Sequence, residues 1–204
     1  MNILQKLKNN QRRIGLTGGI ASGKSTITNY IRKNKNVPVL DADNLSRELI
    51  KPNTYGYKKI LDYFGNQIID NKSNKEQEIN RKLLRKIIFK HSESKKWIEK
   101  LLHPLIKEKM IEECSHYNNQ TVVMVIPLLF EANFEDICTA IWLVKCPSEL
   151  QKKRLVTRDK ISEKEAYEII NFQSSFEEKR KFSDIILDNS GDQNKWINTI
   201  NKLL

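Results

Sequence analysis

A glycine-rich loop directly after a short apolar segment constrains this chain more than any other feature. Residues 18–25 read Gly-Gly-Ile-Ala-Ser-Gly-Lys-Ser, which fits the phosphate-binding pattern Gly-x4-Gly-Lys-Ser. The apolar residues 14–16 predict a strand before the loop, and the apolar spacing within residues 24–33 predicts a helix after it. A strand, this loop and a helix in that order predict a binding site for nucleotide phosphates at the helix N-terminus.

The residues of this loop have separate expected roles. Its glycines allow the backbone to curl so that successive N–H groups point at the β-phosphate. Lys24 is expected to reach the β- and γ-phosphates, and the hydroxyl of Ser25 is expected to bind Mg²⁺. The sequence has no Asn-Lys-x-Asp segment of the GTPase type, and its 204 residues leave little chain for the coupling machinery of a motor. The loop therefore favours a small-molecule kinase.

Two aspartates, Asp41 and Asp43, follow a second short apolar segment at residues 37–40. The carboxyl end of a strand is where α/β sheets bind ligands, and residues two apart on a strand share a face. Both carboxylates are therefore expected in the cleft, one to accept the proton of an attacking hydroxyl and the other to hold a Mg²⁺-bound water. In the alternative interpretation, Asp43 only caps the next helix and pairs with Arg47 one turn later.

Alternating strands and helices define the expected fold class. Three further apolar segments, residues 122–126, 137–144 and 185–187, predict strands with helices between them. A capping box at Ser162 predicts the start of a helix that reaches about residue 180. This alternation is typical of an α/β protein with a parallel sheet and helices on both faces.

A long helical stretch interrupts the alternation. Residues 45–117 read mostly as helices, apart from turns such as residues 70–74, and are too many for a simple crossover. Pro104 is expected to bend or restart one of these helices. We predict a single domain over residues 1–204, with a core over residues 12–44 and 119–204, a helical substrate lobe over residues 45–118 and a helical lid over residues 148–180.

Composition narrows the possible partners. The net charge of +11 would suit nucleic acid or an anionic substrate. The basic residues are spread along the chain without an aromatic-rich motif, so a small phosphorylated substrate is expected rather than nucleic acid. The apolar run 122–130 is too short to span a membrane, and residues 1–13 do not read as a secretory signal. Three cysteines without metal-type spacing favour a reducing, cytoplasmic setting.

A basic helix late in the chain offers further candidates. Arg154 and Arg158 lie four apart with Gln151 on the same predicted face, and two guanidinium groups could stabilise the transferring phosphoryl group. The same pair could be an ordinary solvated face. Glu131 could join the outer shell of a metal or close a turn, and His103 could contact substrate or be structural.

From residue 14 onward the chain resembles the dephospho-coenzyme A kinase family. The strings that carry the resemblance are Gly-Leu-Thr-Gly-Gly-Ile-Ala-Ser-Gly-Lys-Ser-Thr (15–26), Asp-Ala-Asp (41–43) with Arg47-Glu48, Leu-Leu-His-Pro-Leu-Ile (101–106), Pro-Leu-Leu-Phe-Glu (127–131), Gln151 with Arg154 and Arg158, Gln173, and Asp-Asn-Ser-Gly (188–191). The loop is common to many nucleotide-binding proteins, whereas the other strings in this order are far more specific.

The resemblance implies transfer of the ATP γ-phosphate to the ribose 3′-hydroxyl of dephospho-coenzyme A, with ATP and Mg²⁺ as cofactors. It implies a core, a substrate lobe and a lid, with Asp43 as the base and Lys24, Arg154 and Arg158 as further catalytic residues. The ATP-binding residues that it implies are Gly19, Ala21, Ser22, Gly23, Lys24, Ser25, Thr26, Asn189 and Gly191. The acceptor-binding residues that it implies are Asp41, Asp43, Arg47, His103 and Leu128.

Three departures from the family pattern accompany the resemblance. Ala21 stands where the family usually has glycine, which predicts a negative φ at this position. Lys107 replaces a frequent arginine after the His-Pro pair, so no bidentate contact is expected there. Residues 1–11 are an extension that the pattern does not explain. Two other interpretations stay open, a kinase for another nucleoside or nucleotide and a nucleic-acid-binding ATPase.

Overall fold

The computed structural model describes residues 11–70, 77–117 and 120–204 of the chain. Residues 1–10 of the extension and 71–74 of the predicted turn lie outside these ranges. The chain divides into two compact units, one formed by Met1–Asp41 with Ile111–Leu204 and one formed by Ala42–Met110. We call them the sheet unit and the helical unit.

In the described part of the sheet unit, five strands form a sheet and pair only in parallel. In chain order they are β1 (Arg13–Gly18), β2 (Val39–Asp41), β3 (Val122–Val125), β4 (Ala140–Lys145) and β5 (Ile185–Asp188). Their order across the sheet is β2-β3-β1-β4-β5, which places β1 at the centre. The α/β fold with a parallel sheet, predicted from the alternation of elements, is confirmed.

Helices cover the sheet of this unit. They are α1 (Lys24–Asn34), the end of α5 (Ser92–Ser115), α6 (Ser148–Asp159), α7 (Glu163–Asn171), α8 (Phe176–Arg180) and α9 (Asn194–Leu203). On one face, Leu16 of β1 and Trp142 of β4 pack in a core with Ile27 of α1 and Trp196 of α9. Every residue of β1 is buried, which explains why its sequence does not alternate between apolar and polar residues.

Two boundaries differ from the sequence-based predictions by three residues or more. The strand predicted from residue 137 begins at Ala140, because Glu135–Ile137 forms a short 3-10 helix before it. The capping box at Ser162 is present, but the helix that it starts ends at Asn171 instead of continuing to residue 180. A second capping box at Ser175 starts α8, since its hydroxyl accepts a hydrogen bond from the Glu178 backbone N–H.

The described residues of the helical unit form four α-helices around a core of their own. They are α2 (Ala42–Leu49), α3 (Tyr55–Phe64), α4 (Arg81–Lys90) and the first part of α5, with a 3-10 helix at Asn66–Ile68. Buried Ile60, Phe64 and Ile98 belong to this core, and Trp97 stacks on Tyr63 with ring centroids 4.0 Å apart. Among the described residues, no helix combines the length and apolar character needed to cross a membrane.

Pro104 lies inside α5 without dividing it. Of the two effects predicted for this proline, a bend or a restart, the restart is therefore wrong. Pro104 and Lys100 are both exposed, so the carbonyl of residue 100 that loses its helical partner can be hydrated. Buried Ile98 and Ile106 hold the helix on either side of the proline.

A buried ion pair joins the segment after β3 to α8. Lys179 Nζ lies 2.9 Å from Glu131 Oε1, and the Lys179 side chain is only 1% exposed. Glu131 Oε1 also accepts a hydrogen bond from the Ser174 backbone N–H at 3.2 Å. Burial alone would raise the pKa of Glu131, but the hydrogen bonds from Lys179, from its own backbone and from Ser174 outweigh burial, and the net pKa is lowered. Glu131 therefore acts here as the counterion of Lys179.

The close packing of β1 predicts a large effect of adding one methyl group. A Cβ on Gly15 would lie 2.6 Å from both Cys138 Sγ and Leu129 Cδ1. We expect Gly15→Ala to lower the free energy of unfolding by about 1–3 kcal/mol in a denaturant titration. Gly191→Ala is the matched control, since nothing lies within 4 Å of its Cβ position, and should stay within about 0.5 kcal/mol of wild type. Equal stability of the two variants would contradict this packing.

The ion pair predicts a pH-dependent contribution to stability. Glu131→Gln leaves the Lys179 charge buried and should destabilise by roughly 3 kcal/mol, at the low end for buried pairs because Glu131 is 23% exposed. The double variant Glu131→Gln/Lys179→Met should recover most of this loss. Because the Glu131 pKa is lowered on folding, the contribution of the charge is present above its ordinary value of 4.5 and is lost as the pH falls below it.

Unfolding titrations at pH 7 and pH 3 check this sign. The single variant should differ less from wild type at pH 3 than at pH 7. A difference that grows on acidification would show that Glu131 is not stabilised in its charged form.

Candidate active site

The glycine-rich loop connects the central strand to its helix. β1 ends at Gly18 and α1 begins at Lys24, so the loop lies at the carboxyl edge of the sheet. Gly23 forms the N-cap of α1 with φ of 97°, and a Cβ on it would collide with the Asn189 side-chain amide. Positive φ and close contact both require glycine at this position. The loop thus has the curled backbone that phosphate binding needs.

Ala21 does not have the conformation predicted for it. Its φ is +56°, in the left-handed region, so the prediction of a negative φ is wrong. The curl of the loop requires this conformation regardless of which residue occupies the position. For a residue other than glycine, the left-handed conformation costs about 1–2 kcal/mol. Alanine has the smallest side chain among these residues. The loop therefore keeps its shape at the expense of local strain.

Lys24 lies against the first half of the loop. Its Nζ donates hydrogen bonds to Gly18 O at 2.7 Å and to Gly19 O at 3.0 Å, and its side chain is half-buried. Ser25 and Thr26 are exposed in the first turn of α1. The ammonium group and two hydroxyls therefore lie at the N-terminus of α1, where the helix dipole favours an anion.

Two side chains from distant parts of the sheet unit hold the outer side of the loop. Asn189 follows β5, is 4% exposed, and donates from Nδ2 to Ser22 O at 2.8 Å. Arg154 on α6 donates from Nη1 to Ala21 O and Ser22 O at 3.3 and 3.4 Å. The structure therefore brings Arg154, Asn189 and the loop together. Gly191 is exposed in the turn that follows β5.

Two glutamines contact the loop, and neither had a role of its own among the sequence-based predictions. Gln173 Oε1 accepts a hydrogen bond from the Ile20 backbone N–H at 2.6 Å. Gln151 donates from Nε2 to Cys146 O at 2.8 Å, and its Oε1 lies where a side chain on Gly19 would have to go. Gln151 precedes Arg154 by three residues, and this helical spacing placed it on the predicted face of the two arginines. Gln173 is among the residues that carry the family resemblance, but no local pattern predicts its contact with Ile20, which arises only through the tertiary fold.

Arg158 and Leu128 occupy less central positions. Arg158 pairs with the adjacent Asp159 at 2.7 and 2.9 Å, and its side chain is 57% exposed. The hydrogen bond to Asp159 raises the pKa of Arg158. Leu128 is half-buried in the turn after β3, next to Pro127, whose carbonyl accepts a hydrogen bond from the Thr17 hydroxyl at 3.3 Å. Of the two candidate arginines, the structure places Arg154 at the loop.

The two aspartates do not share a strand face. Asp41 is the last residue of β2, whereas Asp43 is the second residue of α2, so the argument from a period of two is wrong. The helix begins immediately after the strand, and this leaves no extended residue for the pair. Asp41 pairs in register with Val125, as does Leu16 of β1. Asp41 is therefore level with Leu16, two residues before the end of β1, and two strand spacings away, about 10 Å.

Asp43 lies in a charged group within the helical unit. Burial lowers the pKa of Arg81, the neighbouring Arg47 and Arg85 lower it further, and Asp43 opposes them. Arg81 of α4 therefore lies close enough to Asp43, Arg47 and Arg85 to interact with each of them electrostatically. This arrangement suits an anionic ligand. The sequence analysis identified Asp43 and Arg47 but missed Arg81 and Arg85.

His103 lies on α5 in the same unit and is half-buried. Burial lowers its pKa below the ordinary value of 6.5, against the opposing effect of Glu99. Its imidazole is therefore neutral at pH 7 and can both donate and accept a hydrogen bond.

Comparison with known proteins places this geometry in one family. The family profile for dephospho-CoA kinase matches residues 12–195. A dephospho-CoA kinase of Prochlorococcus marinus strain MIT 9312 is 84% identical, and the alignment covers 100% of both chains. Among solved structures, a dephospho-CoA kinase from Campylobacter jejuni has a TM-score of 0.68 at 28% identity, covering 95% of this chain and 97% of its own.

A protein of Thermus thermophilus has a TM-score of 0.77 at 28% identity, covering 95% of this chain and 98% of its own. The matches extend over both the sheet unit and the helical unit. They agree with the resemblance found in the sequence strings. The chain belongs to the dephospho-CoA kinase family.

Proposed function

We propose that this chain transfers the γ-phosphate of ATP to the ribose 3′-hydroxyl of dephospho-coenzyme A and so forms coenzyme A. The observation that carries this proposal is the match to dephospho-CoA kinases over the full chain, together with a loop of phosphate-binding geometry on the central strand. The donor is ATP, as in every reaction of this kinase type.

The loop residues act on the phosphates of the donor. The loop N–H groups and the N-terminus of α1 bind the β-phosphate. Lys24 now bonds to the carbonyls of Gly18 and Gly19, and it moves to β- and γ-phosphate oxygens when they arrive. Arg154 contacts the loop through long hydrogen bonds and can turn its guanidinium to the transferring phosphoryl group. Both cations stabilise charge that develops during transfer.

Magnesium fits this site through a single protein oxygen. The exposed hydroxyl of Ser25 is an oxygen ligand of the type that Mg²⁺ prefers, and Mg²⁺ typically keeps several waters and substrate phosphates as its other ligands. The described residues contain no group of three acidic, histidine or cysteine side chains that could hold a metal by themselves. When bound, the ion neutralises charge on the β- and γ-phosphates. Asp41, at the end of β2, would hold one of its waters.

The acceptor is bound and activated by residues of the acid pair and the helical unit. Asp43 is the proposed base for the ribose hydroxyl, with Asp41, Arg47, His103 and Leu128 as further contacts. The guanidinium groups of Arg47, Arg81 and Arg85 match the diphosphate of the acceptor in charge.

We further propose roles for the two units and a location for the protein. The helical unit is the substrate lobe, and α6 to α8 form the lid. A cytoplasmic location is compatible with the three cysteines, since disulfides are rare in a reducing compartment.

The reaction itself gives the direct test. The chain is incubated with ATP and Mg²⁺ and with dephospho-coenzyme A, adenosine or AMP as acceptor, and the products are identified by mass. We expect phosphorylation of dephospho-coenzyme A in strong preference to the other acceptors. Equal or faster phosphorylation of adenosine or AMP would overturn the proposal.

Removing the loop lysine should abolish transfer without unfolding the chain. Lys24→Ala should lower kcat by at least about 10²-fold, the typical cost of losing one preorganised donor to the transition state. Lys33→Ala, an exposed lysine on the same helix, is the matched control and should behave as wild type. Activity within a few-fold of wild type for Lys24→Ala would show that the loop does not bind the donor in this way.

Replacing each aspartate by asparagine distinguishes the roles of Asp41 and Asp43. Asp43→Asn retains the shape but loses the proton acceptor, so kcat should fall roughly 10²- to 10⁴-fold with ATP and acceptor binding retained. Asp41→Asn should instead change the dependence of turnover on Mg²⁺ concentration. Turnover is measured against Mg²⁺ concentration for both variants. Near-normal kcat in Asp43→Asn, with a collapse only in Asp41→Asn, would mean that the base is Asp41.

A further inference from the structure

We propose that Gln173 is a positioning residue of the nucleotide-binding loop. Its side-chain oxygen holds the backbone N–H of Ile20 and thereby keeps the loop in its phosphate-accepting shape. The Glu131–Lys179 ion pair anchors the segment that carries Gln173. The proposal rests on the proposed function in one respect, since the loop is taken to bind ATP.

Gln173 contacts the loop directly. Gln173 Oε1 lies 2.6 Å from the Ile20 nitrogen, a short hydrogen bond between residues 153 positions apart in the sequence. Ile20 immediately precedes Ala21, whose φ of +56° is strained for alanine. The cost of this strain and the gain from one hydrogen bond are of the same order. An external acceptor at Ile20 can therefore decide whether the loop keeps its curl without a ligand.

Contacts on both sides fix the segment between α7 and α8. The Gln173 backbone N–H donates to Ile170 O at 3.2 Å, which ties it to the end of α7. The next residue, Ser174, donates its N–H to Glu131 Oε1 at 3.2 Å, and Lys179 Nζ binds the same oxygen at 2.9 Å. The backbone of Gln173 is thus fixed on both sides. The side-chain amide begins from a defined position, so little conformational entropy is lost when it binds the loop.

The Gln173 side chain lies beside a cavity and not in the hydrophobic core. Gln173 is half-buried and lines a cavity of about 690 Å³ that is also bounded by Gly19, Gln151, Ile170 and Phe176. A side chain that borders open space fills no gap in the hydrophobic core. Its loss should therefore leave the fold intact and change only the groups that it contacts.

The same contact has two possible effects on ATP affinity, and they are opposite in sign. The Gln173 oxygen accepts the type of N–H that phosphate oxygens also bind. If it competed with the nucleotide for Ile20, its removal would tighten ATP binding. If it supports the loop, as we infer, its removal weakens ATP binding.

The experiment uses the full chain and three variants. Gln173→Met keeps the length of the side chain without the acceptor oxygen, and Gln173→Glu keeps an acceptor oxygen. Asn171→Ala changes a residue that lines the same cavity at the end of α7 and serves as control. The measurements are the Kd for ATP, the hydrogen exchange rate of the Ile20 amide without nucleotide, the thermal midpoint, and kcat and KM with dephospho-coenzyme A.

We expect Gln173→Met to weaken ATP binding by roughly 3- to 10-fold, which corresponds to one net hydrogen bond. The Ile20 amide should exchange faster by a similar factor, while the thermal midpoint and the KM for dephospho-coenzyme A stay unchanged. Gln173→Glu should retain the protection of the Ile20 amide in the nucleotide-free protein. Asn171→Ala should match wild type in every measurement.

Unchanged or tighter ATP binding by Gln173→Met would overturn the inference, as would an Ile20 amide equally protected in this variant. A large fall in its thermal midpoint would show a structural role instead. Because ATP binding and Ile20 exchange are measured without acceptor, the proposed function is tested separately. The variants could show these effects while the wild-type chain fails to phosphorylate dephospho-coenzyme A. That result would contradict the proposed function and support the inference about Gln173.

Discussion

The register of β1 between its two neighbours determines where every functional group of the sheet unit lies. β1 pairs in parallel with β3 and β4, and β4 pairs in parallel with β5, so all these strands end at one edge. The glycine-rich loop, the segment with Glu131, the start of α6 and the turn with Asn189 leave the sheet from that edge. A slip of one residue would exchange the two faces of β1 and push Leu16 out of its core. The buried apolar faces thus fix the site before any functional side chain is considered.

On this scaffold the loop is held mainly through its carbonyl groups. Lys24 donates to the carbonyls of Gly18 and Gly19, Arg154 to that of Ala21, and Asn189 to that of Ser22. Donors on the carbonyl side orient the peptide planes of the loop, and the N–H groups then point the other way. A backbone oriented in this manner presents positive partial charges to an anion without needing further cationic side chains. The loop is preorganised by its surroundings as well as by its own glycines.

The features that could be predicted from the sequence are those with a local cause. The loop, its flanking strand and helix, and the capping box at Ser162 follow from neighbouring residues, and the structure contains all of them. The break between α7 and α8 also had a local signal, because Ser175 and Glu178 repeat the capping pattern. The surrounding residues favour a helix, so this second capping pattern was not interpreted as a helix start.

Other features have causes that no local pattern carries. The φ of Ala21 is imposed by the curl of the whole loop and overrides the preference of alanine. Asp43 lies on a helix because β2 ends two residues earlier than a shared strand face would need. Gln173 meets Ile20, and Arg81 meets Asp43, only through the tertiary fold. Long-range contacts of this kind could therefore not be predicted from neighbouring residues.

The contrast between the two arginines of α6 follows from the strength of their present contacts. Arg158 pairs with Asp159 on an exposed surface, where such a pair contributes between zero and about 1 kcal/mol. Arg154 contacts the loop at 3.3 and 3.4 Å, near the long limit for a hydrogen bond. Neither guanidinium is held strongly, and both lie on the helix that we propose as part of the lid. Weak contacts are what a mobile cation requires, because it must leave one partner to meet a phosphoryl group in transfer.

The buried pair of Lys179 and Glu131 is the opposite case, since a charge with 1% exposure cannot leave its counterion without a large cost. The sheet unit thus combines a fixed cation on α8 with two weakly held cations on α6, of which Arg154 contacts the loop.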